Sequence, residues 1–506
     1  MKLNYKRTIL VGFAFFLISA FWQAYDTIKP KILTNRFGLS QSVSGFVMAL
    51  DNILSLFLLP FFGALADKCN SRRGRRTPFI IVGTLLAALS FSVLAFVDNA
   101  QLNSLSAIAG NDRTVYEALY DADLNITTPS GEKIEICEKF TRDEFVSMAE
   151  ESTENTDYTE YVLPAKNAYA REQTSMAKGI FILFVTVLFL VLVSMATFRS
   201  PAVALMPDIT MKPLRSKGNA IINLMGAVGG IIVLIMGMVF KTGSPANSYM
   251  SYVPFFISVS ALMLISLVIF IKKVDEPRFV KDMQADSKAY GIDNSEDGTS
   301  GDKKLSKGEF RSLILILLSV VFWYMGYNAV TSKYSVYAGS VLGLDYNLTL
   351  MIATGSAILT YLPVGIIASK IGRKKTILAG VLILASAFGA ASFMRAGSSP
   401  IVLNILFTLA GIGWATINVN SFPMVVELAT GGNVGKYTGF YYTASMAAQT
   451  VTPVLSGLFL DIKMTYLFPY ATIFVLLSFV TMSLTKHGDS KPMPSKSVLE
   501  SFDIDD

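Results

Sequence analysis

The stretch GALADKCNSRRGRRTPFIIVG, residues 63–83, places five basic residues within nine positions, between two long apolar runs. Positive charge of that density in a greasy chain marks a short loop held on one side of a bilayer. The composition outside the loop agrees. Hydrophobic residues make up 52% of the chain and charged residues 16%, against about 25% charged in a soluble protein. Apolar runs of roughly 18 residues or more recur, each long enough to span a bilayer as a helix. In hydrocarbon such segments must be helices or a closed barrel, because every backbone polar group needs an internal partner. Barrel strands alternate in polarity over about ten residues, whereas these runs are continuous. The sequence describes an all-α polytopic membrane protein.

Twelve spans are predicted, at about 8–29, 44–66, 77–97, 178–206, 217–240, 250–271, 311–333, 348–368, 377–395, 400–421, 437–460 and 465–484, the fourth over-long. Lysine and arginine set the orientation. With the amino terminus inside, Lys2, Lys6, Arg7, Lys68, Arg72, Arg73, Arg75, Arg76, Lys370, Arg373, Lys374 and Lys375 all fall on the cytosolic side. The outer loops hold few, chiefly Lys29, Lys31, Arg36 and Lys241. Both termini are therefore expected in the cytosol. The expected organisation is an N-terminal six-helix half over 1–271, a flexible polar cytosolic linker over 272–310, a C-terminal half over 311–484 and a cytosolic tail over 485–506. An acidic insert, 98–176, interrupts the first half on the outer side, and within it TTPSGEKIEIC (127–137) predicts a short hairpin. The insert reads as a surface appendage, with a lid or a partner-binding module as the other possibilities.

Several classes are excluded. The net charge of +6 sits in short loops beside apolar spans, which sets topology and does not indicate nucleic acid. Cys69 and Cys137 are placed on opposite sides of the membrane, and the single histidine is His487, so neither a metal cluster nor a cofactor site is expected. No Walker loop and no nucleophile-base set occurs, so the chain is not read as an enzyme.

The two halves echo each other. After span 2 comes Gly63-Ala64-Leu65-Ala66-Asp67-Lys68, then Gly74-Arg75-Arg76-Thr77; after span 8 comes Gly365-Ile366-Ile367-Ala368-Ser369-Lys370, then Gly372-Arg373-Lys374-Lys375-Thr376. FRSPAVALMPDIT (198–210) is matched by NVNSFPMVVELAT (418–430), which sets Asp208 opposite Glu427. On these motifs the chain resembles the major facilitator superfamily over essentially all its spans. The loop GALADKCNSRRGRRTPFI and the segment SPAVALMPD resemble the sucrose/proton symporters of plants and their animal and bacterial relatives, a group similar to the glycoside-pentoside-hexuronide cation symporters. Departures are visible. Ser369 stands where the first copy has Asp67, and Val203 falls where the plant proteins carry arginine, with Arg199 one turn earlier. Melibiose-type sodium carriers place two carboxylates near the positions of Ser55 and Leu59.

The resemblance implies a monomeric secondary transporter of the cell membrane, with twelve helices in two pseudo-symmetric halves that work by alternating access. Asp67, Arg75 and Arg76 are then expected in gating, with topology as the plain alternative for the arginines. Asp208 and Glu427 are expected at helix ends, also as gating acids. Ionisable groups within spans are costly and are candidates for function. Asp26 and Asp51 fall in the outer halves of spans 1 and 2, where a desolvated carboxyl can carry a proton; a pairing of Asp26 with Lys29 or Lys31 is the alternative. Arg199 calls for a carboxylate or a solute hydroxyl as partner, the alternative being an ion pair with Asp208 or Glu427. Sugar recognition takes an aromatic face and amide or hydroxyl groups. Trp22, Gln23 and Tyr25 of span 1, Asn223 of span 5, Trp323, Tyr324, Tyr327 and Asn328 of span 7, Trp414 and Asn418 of span 10, and Tyr441 and Gln449 of span 11 are the candidates, with interhelix packing the alternative for each aromatic. The expected partners are a small mono- or disaccharide, a co-transported proton and membrane lipid. The rival readings are a proton antiporter that exports drugs or other organic solutes, and a membrane receptor or assembly protein.

Overall fold

The computed structural model describes residues 3–151, 153, 155–211, 214–290, 305–428 and 434–489. Asn4 starts the first helix: its side-chain oxygen accepts from the Arg7 N–H at 3.1 Å, satisfying one of the donors a helix start leaves open. In chain order the first half supplies α1 (Tyr5–Lys31), α2 (Gln41–Asp67) and α3 (Thr77–Ser104). The insert follows as α4 (Arg113–Asp121), β1 (Asn125–Thr127), β2 (Lys133–Glu135), α5 (Ile136–Lys139), α6 (Arg142–Glu151) and α7 (Leu163–Met176). Then come α8 (Lys178–Ile209), α9 (Arg215–Val239), α10 (Val253–Lys273) and α11 (Glu276–Ala289). The second half is α12 (Lys307–Tyr337), α13 (Tyr346–Ile371), α14 (Arg373–Ala391), α15 (Pro400–Val426), α16 (Val434–Ile462) and α17 (Leu467–Ser483).

A long helix lies on every predicted span. Ten of them are apolar and long enough to cross a membrane, and α13 and α16, at 26 and 29 residues, have the length as well. Their outward faces are greasy, as lipid requires. On α3, Leu85, Leu89, Val93 and Phe96 are exposed, while Ile80, Ala87, Phe91 and Leu94 are buried.

The chain divides into two compact units: Met1–Leu39, Leu50–Thr128 and Lys133–Asn294 form one, and Ser40–Ala49, Pro129–Glu132 and Ser295–Asp506 the other. Within the first, α1 packs on α9 and α10, and α3 on α8 and α10. Within the second, α12 packs on α16 and α17, and α14 on α15 and α17. The same pairing of first helix with fifth and sixth, and third with fourth and sixth, is the sequence repeat seen as packing. Small residues permit the close crossings: a Cβ at Gly229 would lie 2.7 Å from the Phe16 carbonyl oxygen, and one at Gly326 2.7 Å from that of Ala471. The first helix of each unit also runs on into a five-residue π-helical turn, Ile32–Arg36 after α1 and Ala338–Leu342 after α12.

The insert has a core of its own, in which Tyr116, Leu119, Phe145, Val146, Tyr158 and Val162 are buried. The predicted hairpin is present, with Asn125 paired to Glu135 and Thr127 to Lys133, and Gly131 takes the positive φ of 92° that the turn requires. Two expectations need correction. Residues 276–289 of the predicted flexible linker are helical, because Glu276 caps another helix and Met283 packs with Met211 and Leu214; residues 291–304 lie outside the described residues. Arg36, read as an outer-loop cation, is fully buried in an ion pair with Asp98 at 3.5 Å, under the rings of Tyr249 and Tyr252.

Lys166 of α7 is buried in the insert, where its Nζ donates to the Gly110 carbonyl oxygen at 2.6 Å and to Asn111 Oδ1 at 2.9 Å. Burial pushes its ammonium down to about 7, against the opposing pull of Asp112. The unfolded insert then binds one more proton than the folded one between about pH 7 and 10, so its stability rises with pH across that window and is lost as pH falls through about 7. Hydrogen-exchange protection of Phe145 and Val146 should follow that trend, and Lys166→Met should flatten it.

Candidate solute and coupling site

In the first unit, α1 aligns Trp22, Tyr25, Asp26 and Lys29 over two turns, so that Trp22 faces Tyr25 and Asp26 one turn on, and Tyr25 faces Lys29. The Trp22 and Tyr25 rings meet edge-on at 5.2 Å, and Phe21 stacks on Tyr25 at 5.5 Å. Arg199 of α8 lies over the Trp22 ring at 5.3 Å, and the Lys29 ammonium over the Tyr25 ring at 3.7 Å. Lys29 and Arg199 each act electrostatically on both Asp26 and Asp51. None of these four charges forms an ion pair within 4.0 Å among the described residues. Asp51 accepts from its neighbour, the Asn52 N–H at 2.7 Å and Nδ2 at 3.1 Å. Asp26 makes no side-chain hydrogen bond there. Two buried donors close by, Trp22 Nε1 and Tyr25 Oη, also lack a partner. Gln23 is half-buried beside Gly230 of α9, and Asn223 is exposed. The proposed alternative for Arg199 is not what the structure shows, since Asp208 and Glu427 are engaged elsewhere.

In the second unit, Tyr327 of α12 stacks on Trp414 of α15 at 3.7 Å and 3°, with Tyr324 edge-on to the same ring at 5.2 Å. Asn328, next to this stack in sequence, is half-buried with Nδ2 unpartnered. Asn418 hydrogen-bonds Tyr361. Two candidates fit packing instead. Trp323 is fully buried in the unit's apolar core and has no face to offer a solute. Tyr441 is buried too, its hydroxyl bonded to Ser421 Oγ at 2.9 Å and 3.5 Å from that of Tyr324. Gln449 is half-buried and already engaged.

The signature loop is a charge network. Arg76 is buried, forms an ion pair with Asp67 and donates from Nε to Asp208 at 3.0 Å. Arg75 is half-exposed and reaches Asp208 only at 3.9 Å. The buried Glu276 carboxylate accepts the N–H groups of Arg75 (2.7 Å), Arg76 (3.0 Å) and Thr77 (2.8 Å) and the Thr77 hydroxyl (2.8 Å), capping α3. The second copy is built alike. Arg373 pairs with Glu427 at 2.9 Å, and Asp489 accepts the Arg373 and Lys374 N–H groups at 2.8 and 3.3 Å, capping α14. In each unit an acid from beyond the sixth helix caps the third.

Residues 30–469 match the family model described as "MFS_1 like family". The chain belongs to that family. It is thus a multi-pass member of the major facilitator superfamily. Local stretches resemble the sucrose carriers, as the motifs do. Over 69 residues the chain is 36% identical to the sucrose transport protein SUC3 of Arabidopsis thaliana, covering 14% of this chain and 11% of that protein. Over 93 residues it is 38% identical to the proton-associated sugar transporter A of Homo sapiens, covering 18% and 12%. The matched stretches thus span little more than a tenth of these curated relatives. The fold is shared with the xylose transporter XylE from E. coli in its inward open conformation, with TM-score 0.58 and 15% identity over 98% of this chain and 99% of that one. A D-xylose-proton symporter superposes with TM-score 0.56 at 16% identity, over 95% and 98%.

For this family member, sequence reasoning missed Glu276 and Asp489, which lie in polar segments with no hydropathy signal, and took Lys29, buried at the end of α1, for an outer-loop cation. Glu276→Ala should cost about 1–3 kcal/mol, because the donors at the start of α3 lose their acceptor. Arg75→Ala should stay within about 0.5 kcal/mol. Thermal unfolding of the two purified variants checks the contrast.

Proposed function

We propose that the protein is a secondary active transporter that carries a small sugar, a mono- or disaccharide, together with a proton by alternating access, in the cell membrane with both termini cytosolic. The observation that carries this reading is that each unit, taken by itself, holds buried donors without a partner among the described residues, Trp22 Nε1 and Tyr25 Oη in the first and Asn328 Nδ2 in the second. A buried donor left open costs about 1–3 kcal/mol, which a bound hydroxyl returns. The Tyr327–Trp414 stack offers the flat face that a sugar's C–H surface packs on, and the half-buried, unpaired Asp26 and Asp51 suit proton carriage. The names of the sucrose and proton-associated sugar transporters among the relatives agree with the same reading. Asp67, Arg76 and Asp208, with Arg373 and Glu427, supply ion pairs that can break and re-form as the carrier cycles.

Purified protein in liposomes, given an inward proton gradient and a panel of labelled sugars and polyols, should accumulate a sugar until a protonophore is added. Asp51→Asn or Asp26→Asn should abolish accumulation but leave sugar exchange at equal pH. Asn328→Ala should raise KM about tenfold, the equivalent of about 1.4 kcal/mol. Absence of uptake for every sugar under every gradient would overturn the reading in favour of an exporter.

A further inference from the structure

Arg199 stands inside α8, and an arginine within a span is costly unless something meets its charge. What meets it here is a ring. Its guanidinium lies over Trp22 at 5.3 Å, and among the described residues it makes no hydrogen bond and no ion pair. The ring is itself held in place. Phe21 and Tyr25 meet it edge-on at 5.4 Å and 5.2 Å, both are buried, and Phe21 is backed by Phe91 at 5.0 Å. Trp22 is thus a braced platform on α1, with a cation from α8 upon it.

A ring in place of a carboxylate has a chemical consequence. A carboxylate binds a guanidinium through a pair of its N–H groups, and that side of the fork is then occupied. An indole attracts the same charge through its quadrupole and takes no donor, and tryptophan does so more strongly than tyrosine or phenylalanine. Arg199 therefore keeps its whole planar fork of N–H groups for acceptor oxygens that come from outside the protein. Adjacent hydroxyls of a sugar ring are such acceptors.

We propose that Trp22 is a positioning residue for Arg199: its ring face holds the guanidinium, so that the arginine meets the solute's hydroxyls with every donor free. The Nε1 edge of the same ring, buried and without a partner, stays a direct contact for the solute. The inference rests on the sugar reading for what the arginine binds, and on the ring geometry alone for what holds the arginine.

Mono-, di- and trifluorotryptophan at position 22 of the full-length protein test it. Each fluorine weakens the ring's hold on a cation, changes its shape little and makes its N–H a stronger donor. In liposomes, KM for the labelled sugar that the panel selects should rise with each fluorine, to about tenfold for the trifluoro ring, with kcat unchanged. A flat series would overturn the proposal, and so would a falling one, which is what a role for the N–H edge alone gives. Tm, read without solute, should fall with each fluorine when Arg199 is present and stay level in Arg199→Met, or in Arg199→Gln should the methionine variant fail to fold. Equal slopes in the two backgrounds would mean that the ring only packs, and would overturn the proposal as well. Absent uptake by the unsubstituted protein would count against the sugar reading, while the Tm comparison would still decide what holds the arginine.

Discussion

Hydrocarbon offers a charge no solvent, so every ion inside a span must find a partner or justify the cost of lacking one. Most buried charges here have one. Arg36 is locked to Asp98, Arg76 sits between Asp67 and Asp208, and Arg373 meets Glu427. Against that background Asp26, Lys29, Asp51 and Arg199 are the exception, close enough to influence one another and not in contact.

The two units divide the chemistry unequally on a common frame. Their helix pairings match, their first helices both end in a π-helical turn, and their third helices are capped alike. Yet the first unit holds the unpaired charges, while the second presents an aromatic stack and an unpartnered amide. The frame constrains the backbone, where geometry must repeat to pack. The side chains inside it are free to diverge.

That division explains how much the sequence could tell. Spans, repeat and hairpin were legible because each depends on local pattern: apolar length, a loop motif met twice, a turn flanked by alternation. The equivalence of Asp208 and Glu427, each the partner of an arginine in its own unit, followed from the repeat alone. The facing of side chains was not legible. Trp323 and Tyr324 are neighbours, and a rotation of about 100° sends one into the core and leaves the other beside Trp414. Hydropathy could not separate them, since both occur in one greasy run. Nor could it find Glu276, whose role depends on where α10 ends and on three backbone N–H groups some 200 residues earlier in the chain.

The paired caps carry a consequence for the chain's history. Each half brings its own acid to its own third helix, Glu276 in one case and Asp489 in the other, and neither borrows the cap from across the repeat. A half cut off just past its capping acid therefore keeps the cap of its own third helix. Such a unit can be duplicated, fused through a connector of any length, or reordered head for tail, without opening a backbone donor.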